Sequence, residues 1–382
     1  MHFALRNGKT LNFINLILNR NPNLEIKGKY NSSTLHHASA NINPDVYFAI
    51  LKLLGSKADF NKKDGDGEIP LHWAARWNSN ETVFLDVLKK TKNIFSREER
   101  GNMPLHFSVY SNTNWKISSK LLKTMKSMND VERASIEVRN YAAETPLHRA
   151  VLGPSRKAQN PIISNLLRAG AQINAKTDRG RTPLHLAVTN KLNLDLIALL
   201  HTKGAKINIK DESGITPLHL AAGRKASLPT LLLLLRSGAD PNAQNEDGET
   251  PLHFAARWSR KTDALKILID NGSRVDILND AGQSPLHWAV RWGRGLGNVE
   301  IFLNDSGSAM VNGKDEVGDT PLHWAIRWNK KLKLVKLLID SGANPDIKNE
   351  RSEDALILAK KHKLFQVVKY LNALRNNDSA PK

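Results

Sequence analysis

Residues 247–258 read DGETPLHFAARW, and the order of residue types in this stretch decides the fold. Asp247-Gly248 is a tight-turn pair, because glycine reaches the left-handed backbone region that such turns use. Thr250 has the chemistry of a helix N-cap, a side-chain oxygen that accepts from the free N–H groups of the first turn. Pro251 follows at the first helical position, where its missing N–H costs nothing and its φ is already helical. Leu252 and Ala255 then face the core. The stretch predicts a turn running straight into a short helix, which Arg257-Trp258 closes.

Working outward, TPLH or a near copy begins at Thr34, Ile69, Met103, Thr145, Thr182, Thr216, Thr250, Ser284 and Thr320, with a worn copy, DALI, at Asp354. All spacings but one are 34 to 37 residues, and the interval from Met103 to Thr145 is 42. Between copies runs a second apolar stretch at helical spacing, as in Leu265, Leu268 and Ile269. A glycine then ends it, at Gly204, Gly238, Gly272 and Gly342 among others. Each period is therefore one helix–turn–helix unit. A single unit cannot bury its own apolar face, so neighbours must stack.

These motifs resemble the ankyrin repeat, whose period is about 33 residues around a T-P-L-H-x-A core. The resemblance covers nearly the whole chain and implies an all-α solenoid of stacked helix–turn–helix units with short β-hairpin fingers. It reads as a single array over 1–375. Within it, 1–33 is a clipped N-terminal repeat, 34–353 are nine repeats, irregular at 103–181, and 354–375 is a C-terminal capping repeat; 376–382 is a polar tail. The clipped start is read from Met1-His2-Phe3-Ala4, which aligns with Leu252 to Ala255. Either this half-repeat is the cap or the reading frame once extended upstream. In the irregular region, 128–144 and 153–161 are insertions, open to a reading as loop drift or as part of a binding face.

Composition excludes several classes. With no cysteine in 382 residues, the chain has no disulfide framework, thiol nucleophile or thiolate metal site. Apolar residues make up 40%, enough for a core, and no run approaches the roughly 20 apolar residues of a membrane span. Lys plus Arg is 56 against 37 Asp plus Glu, a formal charge of +19. That charge is distributed, with only the block 241–300 lacking a positive balance, so there is no basic arm. Thirteen histidines invite a metal reading. Nine of them hold the TPLH slot, one per repeat and roughly 10 Å apart, too far to share an ion. Their expected role is hydrogen bonding to backbone between repeats. No nucleophile, metalloprotease, P-loop or dinucleotide motif is present, so no enzyme, no cofactor and no metal site is expected.

The sharpest departure from the repeat pattern is the pair that ends the first helix, at Arg76-Trp77, Arg257-Trp258, Arg291-Trp292 and Arg327-Trp328. The last three lie in consecutive units and should form a ladder. The resemblance places these positions at the border of the concave surface, where members of the family contact partners, and Arg and Trp are enriched in interface hot spots. The alternative is internal stacking of each Trp on a neighbouring Arg. Trp73, Trp288 and Trp324, directly after the histidine, are expected in the core. A basic edge follows the inter-helix turns: Arg224, Lys225, Arg260, Lys261, Arg294, Lys330 and Lys331. Acidic residues favour the fingers.

The expected function is a non-enzymatic protein–protein interaction scaffold, a monomer binding a partner with an acidic surface on its concave face. The absence of cysteine fits a reducing compartment, and the expected location is cytoplasmic; since bare arrays of this kind recur among proteins that intracellular bacteria deliver to host cells, the resemblance adds an effector role in the host cytoplasm. The competing expectation is nucleic-acid or nucleotide binding, with the basic edge on phosphate and the Trp ladder stacking bases.

Overall fold

In the repeats that keep the TPLH histidine, that residue, more than the threonine, organises the start of the first helix. The imidazole Nδ1 accepts the N-cap backbone N–H at 3.1–3.2 Å in repeat after repeat, including those that begin with Ile69 and Met103 and have no hydroxyl. The Thr or Ser hydroxyl turns to the same Nδ1, at 2.8 Å for Thr216 and 2.9 Å for Thr250 and Ser284. Among the described residues, the hydroxyls of Thr216 and Thr320 also accept a backbone N–H, at 3.5 Å. With Nδ1 an acceptor, Nε2 carries the proton and donates to a carbonyl about thirty residues on, in the next repeat. His253 reaches Gln283 O at 3.0 Å, His287 reaches Asp319 O at 3.2 Å and His323 reaches Glu353 O at 3.0 Å. The expected inter-repeat role of the histidines is what the structure shows.

The structure is a computed structural model that describes residues 27–128, 136–153, 156–190, 194–223, 227–259, 262–293, 295–303, 310–329 and 331–378. Most of the clipped N-terminal repeat therefore lies outside the described residues. The described residues form an all-α chain that divides into two compact units, Met1–Ala205 and Lys206–Lys382.

In the first unit the helix pairs are α1 (Thr34–Ser39) with α2 (Pro44–Leu54), α3 (Pro70–Trp77) with α4 (Glu81–Lys90), α5 (Pro104–Tyr110) with α6 (Trp115–Ser127), α7 (Pro146–Leu152) with α8 (Arg156–Arg168), and α9 (Pro183–Thr189) with α10 (Leu194–Thr202). In the second they are α11 (Pro217–Ala222) with α12 (Leu228–Arg236), α13 (Pro251–Trp258) with α14 (Asp263–Asp270), α15 (Pro285–Trp292) with α16 (Gly297–Leu303), α17 (Pro321–Trp324) with α18 (Leu332–Asp340), and α19 (Ala355–Lys361) with α20 (Phe365–Asp378). Within each unit, first helices stack on first helices and second on second. The TPLH leucines and the apolar stripes of the second helices are buried between them, as with Leu252, Leu286, Leu265 and Leu268.

Two expectations change in detail. The segment 153–161 is not wholly a loop, because α8 begins at Arg156 and carries Pro161 inside it. The fingers contain no strand among the described residues. Each is a turn locked by its own side chain, as where Asn245 Oδ1 accepts from Asp247 and Glu249 N–H at 3.1 and 2.7 Å. Within each unit a single backbone bond ties one finger to the next, such as Asp280 N–H to Asp247 O at 3.0 Å. One bond per neighbour is too little for a ladder, so the pairing never becomes a sheet.

Candidate functional site

The Arg-Trp pairs end α3, α13 and α15, and the fourth sits in a π-helical turn, Ala325–Asn329, that continues α17. The wider turn places Arg327 and Trp328 one after the other at the helix end, where the repeat must hand over to α18. Trp73, Trp288 and Trp324 are buried as expected, and each indole N–H is satisfied. Trp73 donates to Asp64 Oδ2 at 3.0 Å, Trp324 to Asp315 Oδ2 at 2.9 Å and Trp288 to Gln283 Oε1 at 2.9 Å. Each of these rings also meets the histidine of the preceding repeat edge to face, at 5.6 Å for His253 and Trp288.

In the second unit the closing arginines interleave with the rings. The Arg257 guanidinium lies 4.9 Å from the Trp258 centroid and 5.4 Å from those of Trp288 and Trp292. The Arg291 guanidinium lies 4.4 Å from Trp292, 4.2 Å from Trp328 and 5.4 Å from Trp324. The first two distances together match the separation of packed helices, about 8–10 Å, so Arg291 sits between successive indoles. The internal stacking reading is therefore present. It leaves ring surface outside: Trp292 is 43% and Trp328 51% exposed, while Trp258 is half-buried. In the first unit Arg76 lies 4.7 Å from Trp77 and 3.8 Å from Phe107. There the run stops, since Tyr110 and Ser111 hold the matching places in the next repeat.

The finger carboxylates prove to be structural as much as solvated. Asp64, Glu68, Asp315 and Asp319 are all buried. Glu68 pairs with Arg76, and Arg327 pairs with Asp319 at 3.1 Å and with Glu353 at 3.5 Å. Burial pushes the Glu68 carboxyl up to about 7 against the pull of Arg76, with Asp64 and Glu98 adding to the rise. Sequence reading missed these partners because Glu68 and Asp319 each lie eight residues before their arginine, across the turn, and Glu353 lies in the repeat after Arg327. It also missed an asparagine clamp at the inter-helix turns. Asn78 Nδ2 donates to Ser39 O and Asn41 O at 2.8 and 2.7 Å, and Asn112 Nδ2 to Ala75 O and Asn78 O at 2.9 and 2.8 Å. The Asn directly after the helix, as in Trp77-Asn78, was the available signal.

Of the basic edge, Arg224, Lys225, Arg260, Lys261, Arg294 and Lys330 lie outside the described residues. Lys331 lines a hollow of about 240 Å³ together with Lys333 over the apolar side chains of Ala289, Leu296, Val299 and Leu334. The irregular region of the first unit borders a hollow of about 690 Å³ lined by Phe95, Arg97, Glu137, Arg139 and Tyr141. No cluster of three or more metal-ligating side chains exists among the described residues, and no described helix is long and apolar enough to cross a membrane.

No curated protein matches the chain. A family profile described as ankyrin repeats in three copies matches residues 147–243 and 218–315, and a single ankyrin-repeat profile matches 317–350. Those matches span more than half of the sequence and cover the units that carry the ladder. Proteins of this kind typically serve as non-enzymatic interaction scaffolds. With the histidine clasp, the capped first helices and the turn-built fingers, the matches establish that this chain belongs to the ankyrin-repeat family.

Proposed function

We propose that the chain is a non-enzymatic scaffold that binds a protein partner through the Arg-Trp ladder, on the concave face of the second unit. The observation that supports it is the exposed indole surface of Trp292 and Trp328, held rigid by the arginine stacked between them. A pre-ordered aromatic loses little side-chain freedom on binding, and this is the usual character of an interface hot spot. Arg76-Trp77 and the basic edge at Lys331 serve as secondary contacts, and a partner with an acidic surface is favoured by the +19 charge. The chain acts as a monomer in a cytoplasm. The effector reading, with that cytoplasm a host cell's, is carried by family resemblance alone.

The test compares wild type with a variant in which Trp258, Trp292 and Trp328 are all changed to Ala, as bait in nuclease-treated lysate. A protein retained by wild type and lost from the folded variant supports the ladder as the binding surface. Equal recovery by both removes it. If wild type binds only when nucleic acid is present, and that binding falls steeply with salt, the nucleic-acid reading replaces this one.

A further inference from the structure

The four Arg-Trp pairs share a sequence and differ in the charges that surround the arginine. Arg76 is neutralised by Glu68, and Arg327 by Asp319 and Glu353. Arg257 feels Glu249, a carboxyl that burial raises and that Asn245 Nδ2, at 3.0 Å, and the charge of Arg257 pull back only in part. At the matching place before Arg291 the residue is Gln283. Its side-chain oxygen already accepts from Trp288 Nε1 at 2.9 Å and Asn279 Nδ2 at 3.3 Å. Arg291 makes no hydrogen bond or ion pair among the described residues. Its contacts are the faces of Trp292, Trp328 and Trp324, and burial, with the like charge of Arg257, lowers its pKa.

A guanidinium covered on its faces still presents its N–H groups in the plane, as a fork that matches a carboxylate. Resting on the reading of the ladder as the binding surface, we propose that Arg291 is the anion-reading position, receiving an Asp or Glu carboxylate from an acidic segment of the partner, with the exposed rims of Trp292 and Trp328 packing beside it. A carboxylate fits better than a phosphate chain. Among the described arginines of the ladder, Arg76 and Arg327 are paired and Arg257 lies in the field of Glu249, so Arg291 stands alone without a carboxylate, whereas a nucleic-acid backbone needs a row of free cations.

The substitution that tests this is Gln283→Glu. It keeps the size of the side chain and an acceptor for Trp288, and supplies inside the repeat the carboxylate that Glu68 gives Arg76. The probe is a fluorescein-labelled decapeptide of alternating Glu and Leu, with Gln-for-Glu and phosphoserine-for-Glu versions, followed by anisotropy on the full chain. Wild type is expected to prefer the Glu peptide to the Gln peptide by at least tenfold, and Gln283→Glu to remove that preference. Glu249→Gln, which removes the carboxylate whose field acts on Arg257, should tighten binding several-fold. If Gln283→Glu fails to give a native far-UV circular dichroism spectrum, Arg291→Lys replaces it, since it keeps the charge and loses the fork; it too must lose the preference. No discrimination between Glu and Gln peptides by wild type, or tighter binding of the phosphoserine version, overturns the proposal. So does a Gln283→Glu protein that still captures in lysate the partner lost by the triple Trp→Ala variant, and in that case the ladder stands as the surface while Arg291 is not its anion reader.

Discussion

Acidification should unfold this protein through its histidines, and the effect can be assigned to a single residue. Burial holds His72 at about 3 and His106, His148, His219, His253 and His287 at about 4, against 6.5 for a free imidazole. The geometry explains why: Nδ1 accepts the N-cap N–H, so a proton there would set two donors against each other. Between pH 6.5 and 4 the unfolded chain binds protons that the folded chain refuses, so the histidine contribution to stability falls as pH falls through that window, and for His72 the fall continues to about 3. The gap is worth about 3 kcal/mol per histidine over the full window and about 2 kcal/mol by pH 5. His287 is the cleanest probe. Its near charges are Asp315 and Asp319, which raise its pKa, and His323, which lowers it, and burial exceeds them all. In the first unit Glu68 works the other way. Its folded value is raised to about 7, so its contribution is present below 4.5 and lost as pH rises through 7.

The perturbation is His287→Leu, measured by urea unfolding of the full chain at pH 7.5 and pH 5.0 with far-UV circular dichroism. At pH 7.5 the variant strands the Ser284 N–H (3.1 Å from Nδ1) and loses the bond to Asp319 O (3.2 Å), at a cost of about 2–4 kcal/mol. At pH 5.0 the wild type carries a protonation penalty of about 2 kcal/mol at this residue and the variant does not, so the difference between them shrinks by that amount. A difference that is the same at both pH values refutes the reasoning, as does a wild type equally stable at both.

Two other predictions concern the joints of the repeat. Gly342 has φ +95° with open space where an added methyl would stand, so Gly342→Ala should cost only the left-handed penalty, about 1–2 kcal/mol. At Gly248 (φ +73°) the methyl would stand 2.7 Å from the Asp280 backbone N, so Gly248→Ala should cost clearly more and break the finger-to-finger bond; equal urea midpoints for the two would remove the finger contact as a source of stability. Asn112→Asp exchanges two buried N–H donors for a charge facing the carbonyls of Ala75 and Asn78, and should lower stability by about 3 kcal/mol or more, with a thermal melt near wild type as the contrary result.

The helix–turn–helix period, the core leucines and the buried Trp73, Trp288 and Trp324 were legible because each is decided within one repeat, by residues a few positions apart. The histidine role was legible too, but its mechanism was not. Reading Thr as the cap assigns to the hydroxyl a task that the imidazole performs, and the proof is Ile69 and Met103, where the same Nδ1 bond forms with no hydroxyl present. The fingers were read as β-hairpins because turn pairs such as Asp247-Gly248 are the signature of both a hairpin and a bare turn, and only the count of cross-finger bonds separates them.

What the linear pattern concealed most is that identical Arg-Trp pairs are electrostatically unequal. At Arg76, Arg257 and Arg291 the dipeptide sets where the guanidinium lies, stacked on the next repeat's ring, and that much follows from period alone. Its charge balance is set elsewhere, by whichever residue precedes the TPLH slot: Glu68, Glu249, Gln283 or Asp319. Stacking and ion pairing then divide the ladder into positions with different tasks. Where the fold supplies the carboxylate, as at Arg76 and Arg327, the arginine's in-plane donors are consumed and the pair rigidifies the helix end. Where it supplies an amide, as at Arg291, the same rigid stack is retained with its fork unspent. A repeat protein can therefore move a recognition point along its array by one substitution at the finger base without disturbing any aromatic that shapes the surface. The residue to vary in redirecting this ladder is thus the one before the threonine rather than the tryptophan.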